Sequence, residues 1–172
     1  MPGASISRWT MSYFAASLVF LIVGQALLAA GFGYPVLPVE APETLLIVHL
    51  IAVGWLGLLF CGALLQFVPV LAATPLRWPG LAAPALALLI VGLLLLCCGF
   101  LALAGYVDHA LVLLPAGATL LAAGLGLITV MIGGTLLRTE AISLSASFVG
   151  LGLLSLIATA LLGLAFALEL SG

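Results

Sequence analysis

Two histidines, His49 and His109, are the residues of this chain best suited to chemistry. His49 opens the apolar stretch His49-Leu-Ile-Ala-Val-Gly-Trp-Leu-Gly-Leu-Leu-Phe-Cys-Gly-Ala-Leu-Leu-Gln-Phe-Val-Pro69, and His109 follows Asp108 at the head of another. An imidazole in hydrocarbon is costly and needs a partner. A neutral imidazole is also a common ligand for metals and for heme iron. Both residues are therefore candidate metal ligands. Gly54, Gly57 and Gly117 lie near them in sequence and could make room for a flat cofactor between helices. Close helix packing explains small residues equally well, and the chain has 20 glycines.

The surroundings are those of a membrane protein. Of 172 residues, 66% are hydrophobic and 5% are charged, with a mean hydropathy of +1.52. A soluble domain of this size needs far more surface charge. The expected class is all-α: a polytopic five-transmembrane-helix bundle in the lipid bilayer. The chain has no lysine, and its arginines are Arg8, Arg77 and Arg138, so it offers no basic patch and no nucleic-acid partner is expected. Cys61, Cys97 and Cys98 lie inside apolar runs and read as small buried hydrophobes. Neighbours on a helix point in different directions, which argues against a Cys97–Cys98 bond.

Five runs are long enough to span, since a span needs roughly 20 apolar residues. They are Trp9–Ala30, Glu43–Ala72, Leu81–Ala104, His109–Arg138 and Ile142–Leu168. Together they make one transmembrane domain with short connections. The first run is expected to be a true helix and not a cleaved signal. The longest connection, Gly31–Pro42, is expected to be extended by its prolines, either as a plain connector or as a lid over its end of the bundle. With five spans, all three arginines fall on one side, which predicts a cytoplasmic N-terminus and an outside C-terminus. Trp9, Tyr13 and Trp78 would form the inner aromatic belt, and Tyr34 and Tyr106 the outer one. Gln66 is expected to bond between helices.

On this topology both histidines approach the outer side, although 60 residues separate them. Three readings compete. His49 could bond a neighbouring backbone while His109 sits among headgroups. One or both could ligate a b-type heme. Or they could hold another metal, such as copper, or relay protons. A zinc site is disfavoured because the cysteines lie mid-membrane, far from both imidazoles. Met11 and Met131 lie toward the other side and are poor axial partners.

The pattern His49…Gly54-Trp55…Gly62-Ala63…Gln66-Phe67-Val68-Pro69 resembles a helix of small membrane relatives of the heme–copper oxidase catalytic subunit, and of a related nitric-oxide-response membrane family. The resemblance covers this one helix. It implies that His49 is an axial ligand to heme b, with His109 as the candidate for the opposite position. The further spans and copper-binding histidines of the full oxidase subunit are missing from this sequence, so a complete oxygen or nitric oxide reductase is not expected. The function implied is a small heme b-binding membrane protein for electron transfer or for heme or gas sensing. The alternative is a non-catalytic accessory or assembly subunit of a larger respiratory complex. A homodimer sharing one heme through two copies of His49 is a further arrangement. The expected location is a bacterial or archaeal cell membrane.

Overall fold

The computed structural model describes residues 8–107, 112–139 and 144–171. Five helices within it are long and apolar enough to cross a membrane. They are α1 (Arg8–Ala29), α2 (Pro42–Leu71), α3 (Ala82–Leu103, preceded by a 3₁₀ turn at Pro79–Leu81), α4 (Leu113–Leu136) and α5 (Leu144–Glu169). No strand occurs among the described residues. Helices satisfy their own backbone groups, which hydrocarbon demands of any spanning segment. Where they fall on described residues, the expected boundaries agree to within a residue or two. His109, with Asp108, lies outside the described residues, and so does Glu140.

The backbone of α2 is not uniform. It is α-helical over Pro42–His49, a π-helix over the eight residues Leu50–Gly57, and α-helical again over Leu58–Leu71. At the junction the Leu58 N–H reaches Val53 O, five residues back. The widened stretch begins immediately after His49. Such segments are rare and tend to occur at functional sites.

Hydrogen bonds fix which helix ends meet. The Thr10 hydroxyl donates to Gln66 Oε1 at 3.4 Å, joining the start of α1 to the end of α2, as expected for that amide. Tyr13 is fully buried, and its hydroxyl donates to Ala82 O at 2.9 Å. Tyr13 is therefore a core residue tying α1 to α3 and not part of an interfacial belt. The Arg77 N–H donates to Thr135 Oγ1 at 3.0 Å, bringing the α2–α3 connection onto the end of α4. These bonds gather Arg8, Arg77 and Arg138 at one end of the bundle. At the other end Phe32 meets Tyr106, with ring centroids 6.4 Å apart.

The connection before α2 is folded, not extended. Gly31 and Gly33 take positive φ, Leu37 N–H donates to Gly33 O at 2.9 Å, and the Thr44 hydroxyl donates to Pro38 O at 2.8 Å. The glycines turn the chain back on itself, so the prolines fall within turns. A Cβ on Gly33 would sit 3.2 Å from Thr44 Cα. The segment packs on the start of α2.

The tightest crossing is between α3 and α4. A Cβ at Gly117 would fall 2.5 Å from Leu96 N and 2.7 Å from Gly92 O. The contact is backbone to backbone, which small residues permit in membranes. Cys61 and Cys97 are buried, whereas Cys98 faces outward. Gly117→Ala should force α3 and α4 apart and destabilise the protein by about 1–3 kcal/mol, the usual range for overpacking. Gly152→Ala, with open space around it, should be neutral. Unfolding in detergent measures both, and equal stability of the two variants would contradict this packing.

Candidate functional site

His49 lies seven residues into α2, roughly 10 Å along the helix from Pro42. Its Nδ1 lies 2.7 Å from Leu45 O, one turn back. A carbonyl only accepts, so Nδ1 carries the proton and donates. In the neutral ring this leaves the lone pair on Nε2. The ring is also held by Phe100 of α3, with centroids 5.0 Å apart and planes tilted by 44°. The imidazole is thus fixed from two directions. Fixing one ring nitrogen on a backbone carbonyl is how metal-ligating histidines are commonly oriented.

The half-buried ring lines a cavity of about 500 Å³. Ligand pockets run from about 300 to 1,000 Å³. Four helices form the walls. Leu45 and Val53 come from α2, Leu96 and Phe100 from α3, Leu114 and Leu121 from α4, and the last turns of α5 close it from Thr159 to Leu170. The polar side chains on these walls are His49, Thr159 and Glu169. The Thr159 hydroxyl donates to Ser155 O at 2.9 Å. His49 Nε2 makes no hydrogen bond among the described residues and is not occluded. It is therefore a free nitrogen donor in a chamber whose other polar side chains are Thr159 and Glu169.

The π-helix explains how α2 distributes its faces. His49 and Val53 meet the cavity. Gly54 turns the other way, where a Cβ would fall 2.8 Å from Phe20 and from Leu93. Gly57 has only atoms of its own helix nearby, and it borders an outer groove with Leu56 and Phe60. Gly117 sits at the α3–α4 crossing. None of these three glycines lines the cavity; Gly54 and Gly117 let the helices close around it. His109 lies outside the described residues, but Leu114, five residues further on, already forms cavity wall.

Sequence reasoning missed the contribution of α5. Three of its lining residues, Ala160, Gly163 and Ala167, are small, beside the larger Leu164 and Phe166. The signal was present in those spacings, but small residues on a membrane helix read first as packing. It also missed Phe100, which nothing in the run Leu93–Leu103 marks as a partner for an imidazole.

No family model, no curated protein and no solved structure matches the chain.

Proposed function

We propose that this protein is a small integral-membrane heme b-binding protein, with His49 Nε2 as the axial ligand, acting in electron transfer or in heme or gas sensing. One observation carries the reading: an imidazole tethered through Nδ1, with Nε2 free, on the wall of an apolar cavity of about 500 Å³. No other histidine, cysteine or methionine lines that cavity among the described residues. A lone protein nitrogen favours a cofactor that brings four nitrogen donors of its own. A bare copper ion would instead need several protein ligands. Leu and Ala walls suit a porphyrin face, and a bound heme would supply one-electron chemistry or a gas-binding iron. Leu45 O sets the ring orientation, Phe100 limits its rotation, and α5 excludes lipid and water. His109 is the candidate for the opposite axial position.

The cavity end of the bundle offers no cation among the described residues, because Arg8, Arg77 and Arg138 gather at the other end. Heme carboxylates would therefore reach water, unpaired, near Glu169. Retention then rests on the axial bond and on apolar contact.

This reading makes the His49 side chain dispensable for the fold. His49→Ala should abolish heme retention while changing stability without heme by no more than about 1 kcal/mol, the worth of an ordinary hydrogen bond. The reduced optical spectrum and unfolding in detergent measure the two effects. An unchanged spectrum would remove His49 as a ligand. Purified protein that stays colourless would leave the accessory-subunit reading. His109→Ala should turn a low-spin spectrum high-spin if His109 holds the second position.

The arginine end is the cytoplasmic one on this proposal, as the charge asymmetry of membrane proteins favours. Reporter fusions at Arg77 and Arg138 should be cytoplasmic, and one at Gly172 should be outside. A cytoplasmic reporter at Gly172 would overturn the orientation.

A further inference from the structure

A second site lies at the opposite end of the bundle, in the connection between α2 and α3. Trp78 adopts a left-handed backbone conformation, with φ 53° and ψ 53°, and Pro79 follows it at the start of the 3₁₀ turn. For a bulky residue this conformation is strained and persists only when its surroundings hold it. Two contacts hold it here. Arg77 is anchored by its N–H on Thr135 Oγ1. Both side chains then lie on α4 at Gly134, where a Cβ would fall 3.0 Å from Arg77 Cδ and 3.0 Å from Trp78 Cζ3. A side chain at 134 would require the pair to shift by a few tenths of an ångström.

The result is a guanidinium held over an aromatic ring. Arg77 Cζ stands 3.8 Å from the centroid of the Trp78 ring. Its Nε is enclosed and has no hydrogen-bond partner. No carboxylate of the described residues pairs with it. Arginine presents five donors in a planar fork matched to phosphate and carboxylate oxygens. Here a fixed fork carries a full charge at a bundle end with no counter-anion supplied by the described chain. The other face of this turn borders a groove of about 530 Å³ lined by Trp78, Gly80, Leu81 and Val130. Trp78 thus has the cation on its ring and the groove beside it. A ligand suited to both has an anionic head and an apolar tail.

We propose that Arg77 and Trp78 form a binding site for an anionic membrane phospholipid. The outward nitrogens of the Arg77 guanidinium hold the phosphate, and an acyl chain lies in the groove between Trp78, Leu81 and Val130. A basic pocket between helix ends at headgroup depth is where such lipids are recognised. Stacking on Trp78 prepays the ordering of the long arginine side chain, so little rotamer freedom is lost on binding. Arg8 provides an internal comparison. It stacks on Trp9 at 4.6 Å but is exposed, and it borders none of the groove.

The test uses the full chain purified in an uncharged detergent. Native mass spectrometry and thermal unfolding follow the addition of phosphatidylglycerol, of phosphatidylcholine with the same acyl chains, or of inorganic phosphate. Phosphatidylglycerol should be retained as a bound lipid and should raise the unfolding temperature. Arg77→Gln should weaken that retention by about tenfold, in keeping with the loss of a charge-assisted contact, while Arg8→Gln should change it less than about twofold. Equal retention by Arg77→Gln would overturn the proposal. So would equal stabilisation of the wild-type protein by phosphatidylcholine. Displacement of the lipid by millimolar inorganic phosphate would reduce the site to a free-anion site and overturn the lipid assignment. Should Arg77→Gln fail to fold, the comparison of the two lipids on the wild-type chain decides alone.

Discussion

In hydrocarbon, a ring nitrogen without a partner is costly, and His49 has a partner for only one of its two. The bond from Nδ1 to Leu45 O, at 2.7 Å, is local and forms as soon as the first turns of α2 form. It settles which nitrogen is protonated within α2 itself. The rest of the bundle then decides what the other nitrogen meets. Phe100 from α3 packs on the ring at a tilt, α4 supplies leucines, and the end of α5 closes the chamber. Thr159 uses its hydroxyl within its own helix. The protein thus solves one half of a desolvation problem by itself and leaves the other half to whatever enters the cavity.

The two ends of the molecule are built on opposite electrostatic principles. At the cavity end the chain supplies Glu40, Glu43 and Glu169 and no basic side chain among the described residues. At the other end two of the three arginines stack on tryptophan, Arg8 on Trp9 and Arg77 on Trp78. On the proposed orientation this separation puts the basic groups on the cytoplasmic side. It also leaves the cavity without a cationic side chain among the described residues. Under the proposed reading, binding there would rest on the His49 nitrogen and on apolar contact.

Much of the architecture was legible from apolar run length, because a span of fixed thickness needs a fixed number of residues. The interhelical bond of Gln66 and the divergent directions of Cys97 and Cys98 followed from residue type and helical periodicity. The prominence of His49 followed from the cost of a polar ring in hydrocarbon. Other features were illegible for identifiable reasons. The π-helix at Leu50–Gly57 has the composition of an ordinary spanning segment, and only its packing between α1 and α3 reveals the altered ladder. Tyr13 looked interfacial because tyrosines near span ends usually are, but its hydroxyl found a carbonyl at the head of α3. Prolines suggested an extended connection before α2, yet Gly31 and Gly33, at positive φ, folded it. The contribution of α5 to the cavity was masked because small residues such as Ala160, Gly163 and Ala167 on a membrane helix read first as packing.

The central claim is that Nε2 of His49 is an open coordination position inside an apolar chamber. Titration of purified, heme-free protein with iron protoporphyrin IX, followed by its Soret absorption, tests this most directly. The account predicts saturable binding at one heme per chain, with a spectrum of histidine-ligated iron distinct from heme in detergent alone. Saturation at one heme per two chains would place the ligand between copies. A spectrum that stays that of detergent-dissolved heme at every ratio would contradict the account.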